Sequence, residues 1–189
     1  MQNESDEGAI EEQIPAVRRY ARALVRDDDR ADDLVQDCLE RAISRFHQFE
    51  RGTNLRTWLF RILHNRYCDI LRQKRRAGPQ VPFEDWEYAV RSPANQGDAL
   101  EVRDLQRALA RLSKQHRQVL LLISLEGFSY EEAASVLNIP VGTVRSRLFR
   151  AREHLRSIQS EMHSPSTERH WNDRCEPDVL WSTYGRLRA

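Results

Sequence analysis

Three cysteines in 189 residues, Cys38, Cys68 and Cys175, are too few and too scattered to staple a fold. They form no CxxC pair and their number is odd, which argues against a disulfide framework or a structural zinc site and leaves buried or incidental thiols. His163, His170 and Cys175 match no usual ligand spacing, so no metal is expected. Apolar runs long enough to span a bilayer, roughly 18–20 residues, are also missing. Met1 to Gln13 is polar and acidic, without an apolar stretch of signal-peptide length, so the chain is expected in the cytoplasm. No phosphate-binding glycine loop and no nucleophile–base pair is visible, so neither an enzyme nor a cofactor is expected. What is present is 40% apolar and 31% charged residues. That balance suits soluble helical domains with modest cores better than a buried parallel sheet.

A formal net charge of +1 conceals strong segregation. Residues 1–50 carry seven Arg against thirteen Asp and Glu, a net of −6. Residues 61–76 set six basic groups against Asp69 alone, and residues 141–156 set five Arg against Glu153 alone, giving +5 and +4. Two basic patches separated by acidic sequence predict two phosphate contacts and a partner of another kind. The plain alternative is solvated helix faces.

Helical periodicity runs through most of the chain. Ile10 to Val25 is one helical stretch, broken at Asp27-Asp28-Asp29. Leu34, Val35, Cys38, Leu39, Ala42 and Ile43 form the stripe of a second helix, opened by Asp29 or a neighbour as N-cap. After a turn at Arg51 to Asn54, a long helix from Leu55 to about Arg75 is expected to bury Leu55, Trp58, Leu59, Ile62, Leu63 and Ile70. Gly78-Pro79 ends it. Residues 77–100 read as a linker, with Pro79, Pro82, Pro93 and Gly97 among acids and Phe83 and Trp86 as its apolar exceptions. Leu105, Leu109 and Leu112, then the run Val119 to Leu125, open a second helical unit.

Ser129 and Glu132 have capping-box spacing, in which each side chain satisfies an amide of the first helical turn. Ala133, Val136 and Leu137 share one face of the helix that follows, Asn138-Ile139-Pro140 makes a turn, and Pro140 suits the first position of a new helix. At roughly 100° per residue, Val144, Leu148, Ala151 and Leu155 cluster inward. Thr143, Ser146, Arg150 and Glu153 lie opposite, with Gly142 and Phe149 beside them, and Arg145 and Arg147 flank the apolar stripe. A short capped helix, a tight turn and a second helix with outward polar groups predict a helix-turn-helix suited to insertion into the major groove. Arg can pair with guanine, Ser with several base edges and Phe with a thymine methyl, while further arginines neutralise phosphates. Candidate groove readers are Gly142, Thr143, Arg145, Ser146, Arg147, Phe149 and Arg150.

Glu126-Gly127-Phe128-Ser129-Tyr130-Glu131-Glu132-Ala133-Ala134, followed by Pro140-Val141-Gly142-Thr143-Val144-Arg145-Ser146-Arg147-Leu148, resembles domain four of the extracytoplasmic-function class of sigma factors in the sigma-70 family. Asp33-Leu34-Val35-Gln36-Asp37 is similar to that family's polymerase-binding region. Asn54-Leu55-Arg56-Thr57-Trp58-Leu59-Phe60-Arg61-Ile62, then Asn65, is similar to its promoter-melting region. The three segments occur in family order across residues 10–160.

The resemblance implies an all-α chain of two small helical domains joined by a flexible linker. These are sigma two at residues 10–76, the linker at 77–100, and sigma four, with the helix-turn-helix, at 101–160. It implies binding of core RNA polymerase, recognition of −35 and −10 promoter elements, melting of the duplex, and an anti-sigma factor as a further partner. Asp33, Gln36, Asp37, Glu40 and Arg41 fall on the expected polymerase-binding helix. Asn54, Arg61 and Asn65 suit an unstacked non-template base, and Arg72, Lys74, Arg75 and Arg76 suit phosphates near the −10 element. Trp58 offers a stacking platform, but its spacing with Leu55 and Ile62 favours the core. The linker's net charge over residues 77–104, −4, would suit mimicry of nucleic acid.

The tail at 161–189 is not explained by the resemblance. Val179, Leu180, Trp181, Tyr184 and Leu187 after Pro177 have the spacing of a short docking helix, with disorder as the alternative. No stable homo-oligomer is expected. The rival readings are a sigma-mimicking protein that sequesters an anti-sigma factor, and an ordinary helix-turn-helix activator. The first should lack DNA-facing arginines, and the second has no need of the melting helix.

Overall fold

The computed structural model describes residues 8–25, 27–50, 52–76, 105 and 107–162, and in that set every regular element is helical. The expected linker, the tail beyond residue 162, Cys175, and the apolar residues Phe83 and Trp86 lie outside the described residues.

A short helical turn at residues 8–11 leads into α1, Ile14–Val25. Val17, Tyr20, Ala21, Leu24 and Val25 repeat at helical spacing and are buried together. The acidic triplet starts a new helix as well as ending the old one. The cap falls on Asp27, whose carboxylate accepts the Arg30 amide at 2.9 Å. Asp28 and Asp29 occupy the first turn of α2, Asp28–Ser44, where the helix dipole favours negative charge. Ala31, Leu34, Val35, Cys38 and Ala42 form its buried stripe.

A 3-10 turn at Phe46–Gln48 and a bend through Gly52, at φ +92°, reverse the chain. Asn54 then accepts the Thr57 amide at 3.2 Å, and α3 runs Leu55–Arg76. Its buried residues are Thr57, Leu59, Phe60, Leu63, His64 and Tyr67. The expected core set is therefore corrected: Leu59 and Leu63 are buried, whereas Leu55, Trp58, Ile62 and Ile70 are half-buried. The physical reason is that α3 is held on two sides, by α2 and α1 and by an element of the second unit, so its inward face is wider than one apolar line. Trp58 packs edge-on to Phe46, with 6.0 Å between ring centroids, and at 5.4 Å from Phe49.

The second unit opens with a helical stretch at residues 107–111. Arg117 covers its end, donating to the carbonyls of Leu109, Ala110 and Leu112 at 2.9, 2.9 and 3.2 Å. Ser113 caps α4, Lys114–Leu120, which continues as a π-helical turn at Leu121–Leu125. In this wider turn the Glu126 amide bonds back to the Leu121 carbonyl. That changes the direction in which Glu126 leaves the helix.

The Ser129–Glu132 capping box is present in both directions, at 3.1 and 2.9 Å, and starts α5, Tyr130–Leu137. Asn138, in the left-handed region at φ 51°, ends that helix. Pro140 sits one position earlier than expected: its carbonyl receives the Val144 amide, making it the cap of α6, Val141–Met162. Val144, Leu148, Ala151, Leu155 and Ile158 are buried along α6. The core is continuous from α1 through α3 to α5 and α6, because Phe60 and Phe128 meet with ring centroids 4.9 Å apart.

Candidate nucleic-acid interface

The α6 helix is oriented by its buried side. Opposite that stripe, Gly142, Arg145, Ser146, Phe149, Arg150 and Glu153 are exposed, with Thr143 and Arg147 half-buried at the edges. Phe149 is 66% exposed, an unusual position for an aromatic ring with no packing partner to gain. The Ser146 hydroxyl donates to the Thr143 carbonyl at 3.0 Å, which keeps its oxygen free to accept. Arg145 is steadied from α5, its guanidinium 5.7 Å from the Tyr130 ring centroid. Farther along, Arg156 pairs with Glu153 at 2.6 Å in the open.

The field over this face is positive. His116, on α4, is held below the usual histidine range, first by burial and then by Arg150, His154 and Arg147. The cations of α6 thus disfavour a further positive charge beside them, and the same charges would attract a phosphate.

On α3 and at its cap, the residues expected to form the melting region divide. Asn65 is exposed, as are Arg72, Lys74, Arg75 and Arg76 at the helix end. Arg72 pairs with Asp69 at 3.2 Å, and burial holds Lys74 below its usual range, with Arg30 acting in the same direction. Asn54 and Arg61 instead meet the second unit. The Asn54 amide donates to Glu132 Oε1 at 2.7 Å, and Arg61 donates to the Ser135 hydroxyl. Glu132 sits below the usual carboxylate range, chiefly through its bond from the Ser129 amide, with Asn54 and Arg56 adding to the effect.

On α2, Asp33, Gln36 and Glu40 are exposed, and Gln36 donates to Glu40 at 3.1 Å. Asp37 and Arg41 are tied to α3, through Arg66 at 2.6 Å and Asp69 at 3.9 Å. Asp33 and Asp37 also line a cleft of about 220 Å³ with Arg66, Tyr67 and Lys74. Burial pushes the Cys38 thiol up to about 12, and its Sγ lies 3.6 Å from the Leu59 carbonyl, so it behaves as a packed apolar group. Among the described residues, no three His, Cys, Asp or Glu side chains gather as a metal site, and no helix is long and apolar enough to cross a membrane.

Sequence reasoning missed Arg19 and Arg56 and gave Glu126 no role of its own. Glu126 is completely buried and receives both arginines. The available signal was a carboxylate closing the apolar run Val119 to Leu125, since a buried carboxylate needs cationic partners.

Residues 10–64 match the family described as the sigma2 domain of PhyR, and residues 103–155 match sigma-70 region 4. The chain is 40% identical over 147 residues to the ECF RNA polymerase sigma factor EcfG of Rhodopseudomonas palustris, covering 77% of this chain and 80% of that protein. It is 30% identical over 148 residues to the ECF RNA polymerase sigma factor SigM of Bacillus subtilis, covering 75% and 87%. Among solved structures, the sigma factor RpoE in complex with the anti-sigma factor NepR from Bartonella quintana superposes with a TM-score of 0.73 at 36% identity, covering 82% of this chain and 96% of that one.

Proposed function

This chain belongs to the extracytoplasmic-function class of RNA polymerase sigma factors, and from that premise we propose how promoter-directed initiation is divided among its residues. Its part is that of a transcription regulator, with no catalytic activity of its own. Residues 10–76 act as sigma two and residues 101–160 as sigma four. The α2 face of Asp33, Gln36, Asp37, Glu40 and Arg41 engages core RNA polymerase. Asn54, Arg61 and Asn65 hold the non-template strand, and Arg72, Lys74, Arg75 and Arg76 hold phosphates around the −10 element. Gly142, Thr143, Arg145, Ser146, Arg147, Phe149 and Arg150 face the −35 element. The protein works in the cytoplasm as a monomer, with an anti-sigma factor as its inhibitor.

The observation that carries this reading is the exposed Ser146–Phe149–Arg150 face on a helix locked by Val144, Leu148 and Ala151. A sigma mimic that only sequesters an anti-sigma factor has no use for arginines there, so the exposed Arg145 and Arg150 favour the promoter-binding reading. Run-off transcription with purified core polymerase tests it. Defined transcripts are expected from a library of genomic upstream regions, and equal transcription from scrambled regions would count against it.

Reading and positioning should also separate. Arg150→Ala is expected to cost roughly 1–3 kcal/mol of −35 discrimination, with Ser146→Ala acting in the same direction. Arg152→Ala and Arg156→Ala should weaken binding evenly across sequences and flatten its salt dependence. Binding titrations on matched and mutated −35 duplexes at two salt concentrations check both. An equal, sequence-independent loss in all four variants would overturn the face assignment.

A further inference from the structure

The two halves of the chain are joined by a charged contact that neither half needs for its own helices. The Glu126 carboxylate is 0% exposed. Arg19, from α1, grips it with both ends of its guanidinium, Nε to Oε1 at 2.9 Å and Nη2 to Oε2 at 2.7 Å. Arg56, from α3, donates to Oε2 at 2.9 Å and to the Glu126 carbonyl at 2.7 Å. Its guanidinium also lies 4.6 Å from the Phe128 ring centroid. A carboxylate out of water is tolerated only while its partners remain in place. Here both partners come from the other half of the molecule.

The same closure places α5 on the start of α3. Glu132 takes the Asn54 amide and Ser135 takes the Arg61 guanidinium. Asn54, which caps α3, and Arg61, on its second turn, are the groups assigned to the non-template strand. A base edge needs the same donors, so strand and α5 cannot hold them together.

We propose that Glu126, clamped by Arg19 and Arg56, is a latch that holds the chain closed, and that in the closed form sigma four occupies the strand-binding groups of sigma two as a tethered competitor. This inference rests on the assignment of Asn54 and Arg61 to the −10 strand. Opening frees both groups and returns Glu126 to water, where its charge carries no burial cost. A ligand that requires the open form binds more weakly in proportion to the fraction of chain that is open.

Arg19 is the side chain to change. It is 31% exposed on the rim of α1 and belongs to neither the DNA-binding nor the polymerase-binding set. Arg19→Gln keeps a good helix former and leaves Glu126 with half its clamp. It also removes a positive charge, which by itself can only weaken attraction to DNA. The latch predicts the opposite sign. With circular dichroism confirming unchanged helix content, small-angle X-ray scattering of the full chain should show a larger radius of gyration for the variant. A fluorescent random-sequence single-stranded 12-mer should bind about tenfold tighter than to wild type. Adding Arg61→Ala to Arg19→Gln should cancel that gain.

A variant that remains as compact as wild type overturns the latch. A variant that expands but binds the 12-mer no tighter overturns the competition. The scattering arm uses no polymerase and no promoter. A failure of the sigma-factor reading would instead show as a silent run-off assay, whatever the scattering gives.

Discussion

Replacing Phe60 with alanine should remove roughly 3–5 kcal/mol of stability, the usual cost of deleting a large aromatic from a packed interior. Phe60 is 0% exposed and has ring neighbours in both halves of the chain. Tyr20, on α1, lies 5.3 Å away between centroids, and Phe128, just before α5, lies 4.9 Å away. Arg56 rests 5.5 Å from the same ring, so the cavity would also loosen one of the two clamps on Glu126. For a chain of this size the loss corresponds to a fall in melting temperature of roughly 10 °C. Phe149→Ala supplies the contrast, because the same atoms are deleted from a ring that is 66% exposed. That variant should stay within about 0.5 kcal/mol of wild type while losing −35 binding. Urea titrations of both variants decide the point. A Phe60→Ala cost below about 1 kcal/mol would mean that the two halves do not share this ring in solution.

How much of this was legible from sequence depends on how local the cause is. The helix-turn-helix was readable because each of its signals acts within a few residues. The Ser129–Glu132 box, the turn at Asn138 and the Val144–Leu148–Ala151–Leu155 stripe all appear as expected. The α2 start was readable to within two residues, since any of three adjacent aspartates can cap, and the one nearest Val25 does. The inward face of α3 was less readable. Periodicity finds one apolar line, whereas this helix is packed from two sides, so Phe60, His64 and Tyr67 go in while Trp58 sits half out. The Glu126 clamp was out of reach. Arg19 lies 107 residues and Arg56 70 residues from it, and no spacing rule links a cation to a carboxylate over that separation. The assignment of Asn54 and Arg61 needed the same long-range information. Their chemistry suggested a strand, but their present occupants became visible only with α5 in place.

Acid should weaken the fold through His64. This residue lies on the inward side of α3, with its Nε2 3.5 Å from the Cys68 Sγ, and its buried Nδ1 has no hydrogen-bond partner in the structure. Burial pushes its pKa down from 6.5 to about 4, and the nearby charge of Arg72 acts in the same direction. The folded chain therefore prefers the neutral ring, while the unfolded chain takes up a proton at the ordinary value. Stability is fully present above about pH 6.5 and is lost as pH falls toward 4. The linkage amounts to about 2 kcal/mol by pH 5 and about 3 kcal/mol at pH 4. Only about one pH unit below that are the two states protonated alike at this site, and the loss levels off at about 3–4 kcal/mol. Many carboxylates titrate in the lower part of the same window, so the contribution is isolated by comparison with His64→Leu, which fills similar space and cannot be protonated. Between pH 7.5 and pH 5 the wild type should lose about 2 kcal/mol more than the variant in urea titrations. Parallel curves would mean that water reaches Nδ1 and that the ring titrates near its ordinary value.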